Sequence, residues 1–108
     1  MVYKLLTTHK FDKWFQSLKD KKVRYRLEAR ISQIQSGHFG DTKPLSAEWN
    51  ELRFFFGGGI RIYYAIRGDE IIILLNGGDK SSQSKDIKTA KELLTKLEVR
   101  NDDDTQNV

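Results

Sequence analysis

Cysteine is absent, and proline and methionine occur once each. Without thiols the chain can form neither a disulfide nor a thiolate metal site, which fits a reducing compartment. The two histidines, His9 and His38, stand far apart with no ligand spacing between them, so no metal and no cofactor is expected. Long apolar runs are lacking as well. The sequence turns charged at Lys4, too early for a secretory segment, and nothing approaches the ~20 apolar residues of a membrane span. The expectation is a cytoplasmic protein with no membrane partner.

What remains is a basic chain of 108 residues, 38% hydrophobic and 31% charged, with a mean hydropathy of -0.60. That is enough apolar material for one core and too little length for two, so residues 1–100 read as a single domain. The polar segment 101–108 holds Asp102, Asp103 and Asp104 and is expected to be disordered. The formal charge is +4, and setting those three aspartates aside leaves a body at +7. Such an excess favours polyanionic partners by steering and counterion release, though on charge alone a merely soluble basic surface is the better reading.

Residues 2–6 are strand-like, and Thr7-Thr8 offers a helix cap. Phe11, Trp14, Phe15 and Leu18 then follow i, i+3, i+4, i+7 spacing, which marks an amphipathic helix whose aromatic stripe packs in the core. Val23, Leu27, Ile31 and Ile34 define a second helix ending before Gly37. Its outer face carries Arg24, Arg26 and Arg30, either a solvated face or a holder of phosphates or an acidic partner. Residues 36–47 contain two glycines and the single proline and read as an ordered crossing loop.

From Glu51 the period changes from helix to strand. Leu52–Phe56 and Ile60–Ile66 flank three glycines as a hairpin, and a Gly68-Asp69 turn leads into Ile71–Asn76, apolar on both faces as a doubly covered strand is. Ser81 to Ser84 offer caps for a last helix with Ile87, Ala90, Leu93, Leu94 and Leu97 on one side. The expected fold is α+β with the order βααβββα, an antiparallel meander with helices packed on it.

Register follows from pattern, because residues paired across neighbouring strands share a face. Centring the first hairpin on Gly58 pairs Arg53 with Tyr63 and Phe55 with Arg61, and a one-residue slip would drive charge into the apolar face. The second hairpin sets Arg61 against Asn76, with Lys80 four residues beyond. Arg53, Arg61 and Lys80 are therefore expected around one concavity, bordered by Gln83 and Asp86. Paired guanidiniums suit a phosphodiester and the extra charge of its transition state, while Tyr63 and Phe55 offer rings to bases. The competing reading is that Arg53 and Arg61 are ordinary strand residues paired to Glu51 or Asp79.

The stretches Gly40-Asp41-Thr42-Lys43-Pro44-Leu45, Glu51-Leu52-Arg53, Arg61-Ile62-Tyr63-Tyr64 and Leu74-Leu75-Asn76-Gly77-Gly78-Asp79-Lys80, followed by Gln83 and Asp86-Ile87, together resemble the HigB-like, phage-derived branch of the RelE/ParE toxins. The likeness covers roughly residues 3–97. It implies a type II toxin: a metal-independent, ribosome-dependent endoribonuclease that cuts messenger RNA. Its implied partners are the mRNA and the ribosome, and a cognate antitoxin of helix-turn-helix type through which alone it reaches operator DNA. In the resemblance Arg61 neutralises the scissile phosphate, Arg53 is the arginine of Glu-Leu-Arg, and Lys80 stabilises the leaving group or transition state. Lys43 contacts the RNA backbone, and Gln83 and Asp86 belong to the motif without an assigned step.

The chain departs from several relatives in having no His or Tyr near the start of its last helix. The general base is open among Asp86, Lys80 and, more weakly, Tyr63. Two other functions stand beside the nuclease: a ParE-like inhibitor of DNA gyrase, and a catalytically inactive module that binds an antitoxin.

Overall fold

The computed structural model describes residues 2–99; the segment expected to be disordered, 101–108, lies outside the described residues. In chain order come β1 (Lys4–Thr7), α1 (His9–Ser17), α2 (Lys21–Gln35), β2 (Thr42–Pro44), β3 (Trp49–Arg53), β4 (Arg61–Arg67), β5 (Ile71–Gly78), a 3-10 turn (Lys80–Ser82) and α3 (Gln83–Val99). Each of the first two helices starts where a short polar side chain satisfies a free amide. The Thr8 hydroxyl accepts from the Phe11 N–H at 3.0 Å, and the Asp20 carboxylate accepts from the Lys22 N–H at 2.9 Å.

The five strands form one sheet in the order β1-β5-β4-β3-β2. The meander β3-β4-β5 is antiparallel as expected, and two features go beyond the sequence pattern. β1 joins β5 in parallel, so the sheet is mixed, and the crossing loop contributes a short edge strand, β2. Only three residues of that loop pair with β3, too few for a periodic signal among its glycines and proline.

Both faces of the sheet are covered. On one, Leu52, Ile62, Tyr64, Ile72 and Leu74 meet Phe11 of α1 and Leu27 and Ile34 of α2; on the other, Trp49, Tyr63, Ala65, Ile73 and Leu75 meet Ala90, Leu94 and Leu97 of α3. The aromatic stripe of α1 is thus core material: Phe11 stacks on Phe15 and lies tilted against Trp14, with centroids 5.8 and 5.7 Å apart.

The first hairpin's register differs from the expected one by a step that preserves the faces, whereas the second is slipped by one residue until a bulge restores them. β3 ends at Arg53, and Arg53 lies opposite Arg61 rather than Tyr63. The cause is the loop: Gly57, Gly58 and Gly59 all adopt left-handed φ, 60°, 77° and 80°, so Phe55 and Phe56 leave the ladder. The shift is two residues, and an even shift keeps every side chain on its side. In the second hairpin Arg67 pairs with Ile71, one step from the expected register, and a bulge beside Tyr63 and Tyr64 adds a second step. Arg61 therefore faces Gly78, not Asn76, and Lys80 follows only two residues later.

Candidate functional site

Alternation along β3 puts Glu51 and Arg53 on the α3 side of the sheet, and the register sets Arg61 of β4 directly across from Arg53. Two like charges in that position repel, so the arrangement stands only with compensation. Each arginine has its own carboxylate. The Arg53 Nη2 and Nε donate to Asp41 Oδ1 at 3.0 and 3.3 Å, where the chain enters β2. The Arg61 Nε lies 3.6 Å from Glu51 Oε2, an ion pair without a hydrogen bond, and its Nη1 donates to the Gly59 carbonyl at 3.3 Å.

The two pairs differ in setting. Arg53 and Asp41 keep 40% and 29% of their side chains exposed, whereas Arg61 and Glu51 keep 14% and 1%. Glu51 is a buried carboxylate, and the Gln83 Nε2 at the start of α3 donates to its Oε2 at 2.8 Å. Gln83 therefore braces the base of the site instead of lining its mouth.

Lys80 arrives from the turn after β5. Asp79 caps that turn, its carboxylate accepting from the Ser81 N–H at 2.9 Å and the Ser81 hydroxyl at 2.5 Å. These bonds to Ser81 hold the Asp79 carboxyl below its ordinary pKa. The Lys80 N–H reaches the Gly58 carbonyl at 3.4 Å, tying the turn to the glycine loop. A side chain at Gly59 would crowd the Lys80 Cβ. The result is a cleft of about 350 Å³ lined by Arg53, Arg61, Lys80, Phe55 and the backbone of Gly58 and Gly59.

The other expected residues fall around this cleft, not in it. Asp86 accepts a hydrogen bond from the Ser82 hydroxyl at 2.6 Å, and its carboxylate occupies the space that a side chain at Gly78 would need. Its backbone carbonyl accepts from Asn76 Nδ2 at 3.0 Å, which fastens α3 to β5. Lys43 is exposed on the edge strand, opposite Glu51. Tyr63 departs from its expected role. It is fully buried, its ring 6.4 Å from Trp49, and has no face open to a base. Burial, then the Glu51 and Asp86 carboxylates, push its phenol far above the ordinary value of 10.0, which rules it out as a general base near neutral pH. Phe55, by contrast, is 91% exposed at the rim.

From sequence, Asp41 and Glu51 carry no role beyond the motif and a possible pairing. The i, i+2 spacing of Glu51 and Arg53 shows that they share a face, but only the register reveals that Glu51 serves Arg61. Among the described residues no three His, Asp or Glu side chains converge in a way that could hold a metal ion.

Comparison with known proteins adds three findings. Residues 13–101 match the family model described as Phage derived protein Gp49-like (DUF891). An uncharacterized protein of Haemophilus influenzae is 42% identical over 97 residues, covering 90% of this chain and 98% of its own length. Among solved structures, a double arginine-to-alanine mutant of the E. coli toxin RelE in the free state superposes with a TM-score of 0.67 at 15% identity, covering 90% of this chain and 99% of that one. A chain of the intact E. coli RelBE toxin-antitoxin complex gives 0.59 at 16% identity, over 71% and 95%. At these identities the structural likeness speaks for the fold.

Proposed function

The chain belongs to the phage-derived Gp49-like family and carries the RelE fold, and from that premise we propose that it is the toxin of a type II toxin-antitoxin pair that cleaves messenger RNA without a metal. The observation that carries the reading is the cleft itself: three cationic side chains from β3, β4 and the turn after β5 converge on one small concavity. Each arginine is braced by a carboxylate on its far side.

The chemistry is attack of a 2′-hydroxyl on the adjacent phosphorus. The O2′–P bond forms as the 2′-hydroxyl gives its proton to solvent, the P–O5′ bond breaks, and the products are a 2′,3′-cyclic phosphate and a free 5′-hydroxyl. Arg61, held from below by Glu51 and Gly59, binds the non-bridging oxygens and stabilises the added charge of the five-coordinate state. Arg53 shares that charge from the opposite strand. Lys80 neutralises the leaving 5′-oxygen and supplies its proton. Among the described residues the cleft lining holds no carboxylate or imidazole, so orientation and charge stabilisation carry more of the rate than proton removal.

Support for an antitoxin partner comes from the fold neighbours, one solved with the antitoxin RelBc peptide and one as the intact RelBE complex. The test is induction of the protein without its antitoxin, with RNA 5′ ends and DNA supercoiling followed together. Growth arrest with new, codon-phased 5′-hydroxyl ends is the expected result. Altered supercoiling with intact messages would instead point to gyrase and sink the nuclease.

A further inference from the structure

Two arginines of α2 end on the aromatic loop that follows β3. The Arg26 guanidinium lies over the Phe56 ring and that of Arg30 over the Phe54 ring, each 4.8 Å from the centroid. Arg30 also donates from Nη2 to the Phe39 carbonyl at 3.0 Å. Among the described residues neither arginine forms an ion pair. Stacking covers one guanidinium face and restrains the side chain while N–H edges stay available. A groove of about 470 Å³ runs between helix and loop, lined by Arg26, Ala29, Arg30 and the three phenylalanines.

This groove and the cleft lie on either side of the Phe54–Phe55 segment. Phe54 and Phe55 line both, and between them the Phe55 ring stands 91% exposed. Packing does not hold it there: the left-handed turn of Gly57 to Gly59 carries it outward while Phe54 and Phe56 turn back to each other, with centroids 5.5 Å apart. An exposed ring between two cationic surfaces matches the alternation of base and phosphate along a single strand.

We propose that this groove is a second subsite for single-stranded RNA, in which a base flanking the cleavage point stacks on Phe55 and the next phosphates lie on Arg26 and Arg30. The assignment rests on the reading of the cleft as the place of the scissile phosphate. An acidic protein segment would satisfy the arginines equally well, but the wall that the groove shares with the cleft at Phe54 and Phe55 sets it within reach of a strand whose scissile phosphate lies in the cleft, which favours RNA.

The experiment is binding of an uncleavable 2′-O-methyl RNA hexanucleotide at several salt concentrations, with folding followed by circular dichroism. Phe55→Ala should weaken binding roughly 5- to 150-fold with little change in salt slope, and Phe55→Trp should restore it. Arg26→Gln should flatten the slope by about 0.7, the share of one phosphate contact, and Arg26→Lys should keep it. Arg61-dependent binding that is unchanged in both Phe55→Ala and Arg26→Gln overturns the groove and leaves the cleft reading standing. Failure of the wild-type protein to bind the RNA overturns both. Weakened antitoxin binding in these variants with RNA binding intact assigns the groove to a protein partner and overturns the proposal.

Discussion

Glu51 sits beneath Arg61 with 1% of its side chain exposed, so truncating the arginine does two things at once. Arg61→Ala removes the cation from the cleft and leaves a buried carboxylate with Gln83 as its hydrogen-bonding partner. The expected outcome is lost cleavage together with about 1–3 kcal/mol of lost stability. Adding Glu51→Gln should recover most of that stability and none of the cleavage, a coupling that urea unfolding of both single variants and the double variant measures. The Arg53–Asp41 pair is more solvated and contributes under about 1 kcal/mol. Asp41→Asn should therefore leave unfolding nearly unchanged while releasing Arg53 from its orientation, lowering the cleavage rate by up to about 100-fold. A rate equal to wild type would remove Asp41 from the positioning of the site.

At the scale of elements, the end of β5 is where helices on both sides press against the sheet. A methyl group at Gly77 would overlap the Trp14 ring of α1, and one at Gly78 the Asp86 carboxylate of α3. Gly77→Ala and Gly78→Ala should each cost about 1–3 kcal/mol in thermal or urea unfolding. Asp86→Ala should rescue Gly78→Ala and leave Gly77→Ala unrescued; equal behaviour of the two would contradict the two-sided packing. The same region marks how far sequence reaches. The helices are legible from the spacing of Phe11, Trp14, Phe15 and Leu18 and of Val23, Leu27, Ile31 and Ile34, and the faces of Arg53 and Arg61 from alternation. Three things are not. Left-handed glycines that lengthen a loop, a bulge that restores a face, and a three-residue edge strand all conserve or escape periodicity. The burial of Tyr63 escapes for a related reason: β3 and β4 are covered on both faces, so a residue on the face that carries the arginines can still lie under α3.

Across the whole molecule, two tyrosines couple the core to pH. Burial raises the phenols of both Tyr63 and Tyr64 above the ordinary value of 10.0. The sign follows directly: below about pH 10 both states carry the proton and no stability is lost, whereas above it the unfolded chain ionises first and the folded state is penalised. Alkaline unfolding is expected to begin at about pH 10, and Tyr63→Phe should move it upward. The substitution removes a hydroxyl that has no hydrogen-bond partner among the described residues. Ellipticity followed against pH checks this; an unchanged profile in Tyr63→Phe would assign the transition elsewhere.

The parallel pairing of β1 with β5 reaches into how the chain comes into being. Thr8 donates its hydroxyl to the Leu75 carbonyl, a contact spanning 67 residues of sequence, and among the described residues β1 has no other partner strand. At synthesis rates of about 5–20 residues per second, β1 waits several seconds or more before its template leaves the ribosome. The facing arginines and Lys80 are completed by that same late strand and the turn after it. A nascent chain thus lacks part of the cleft until β5 and the turn after it have been made, which on the function proposed above delays cleavage until then.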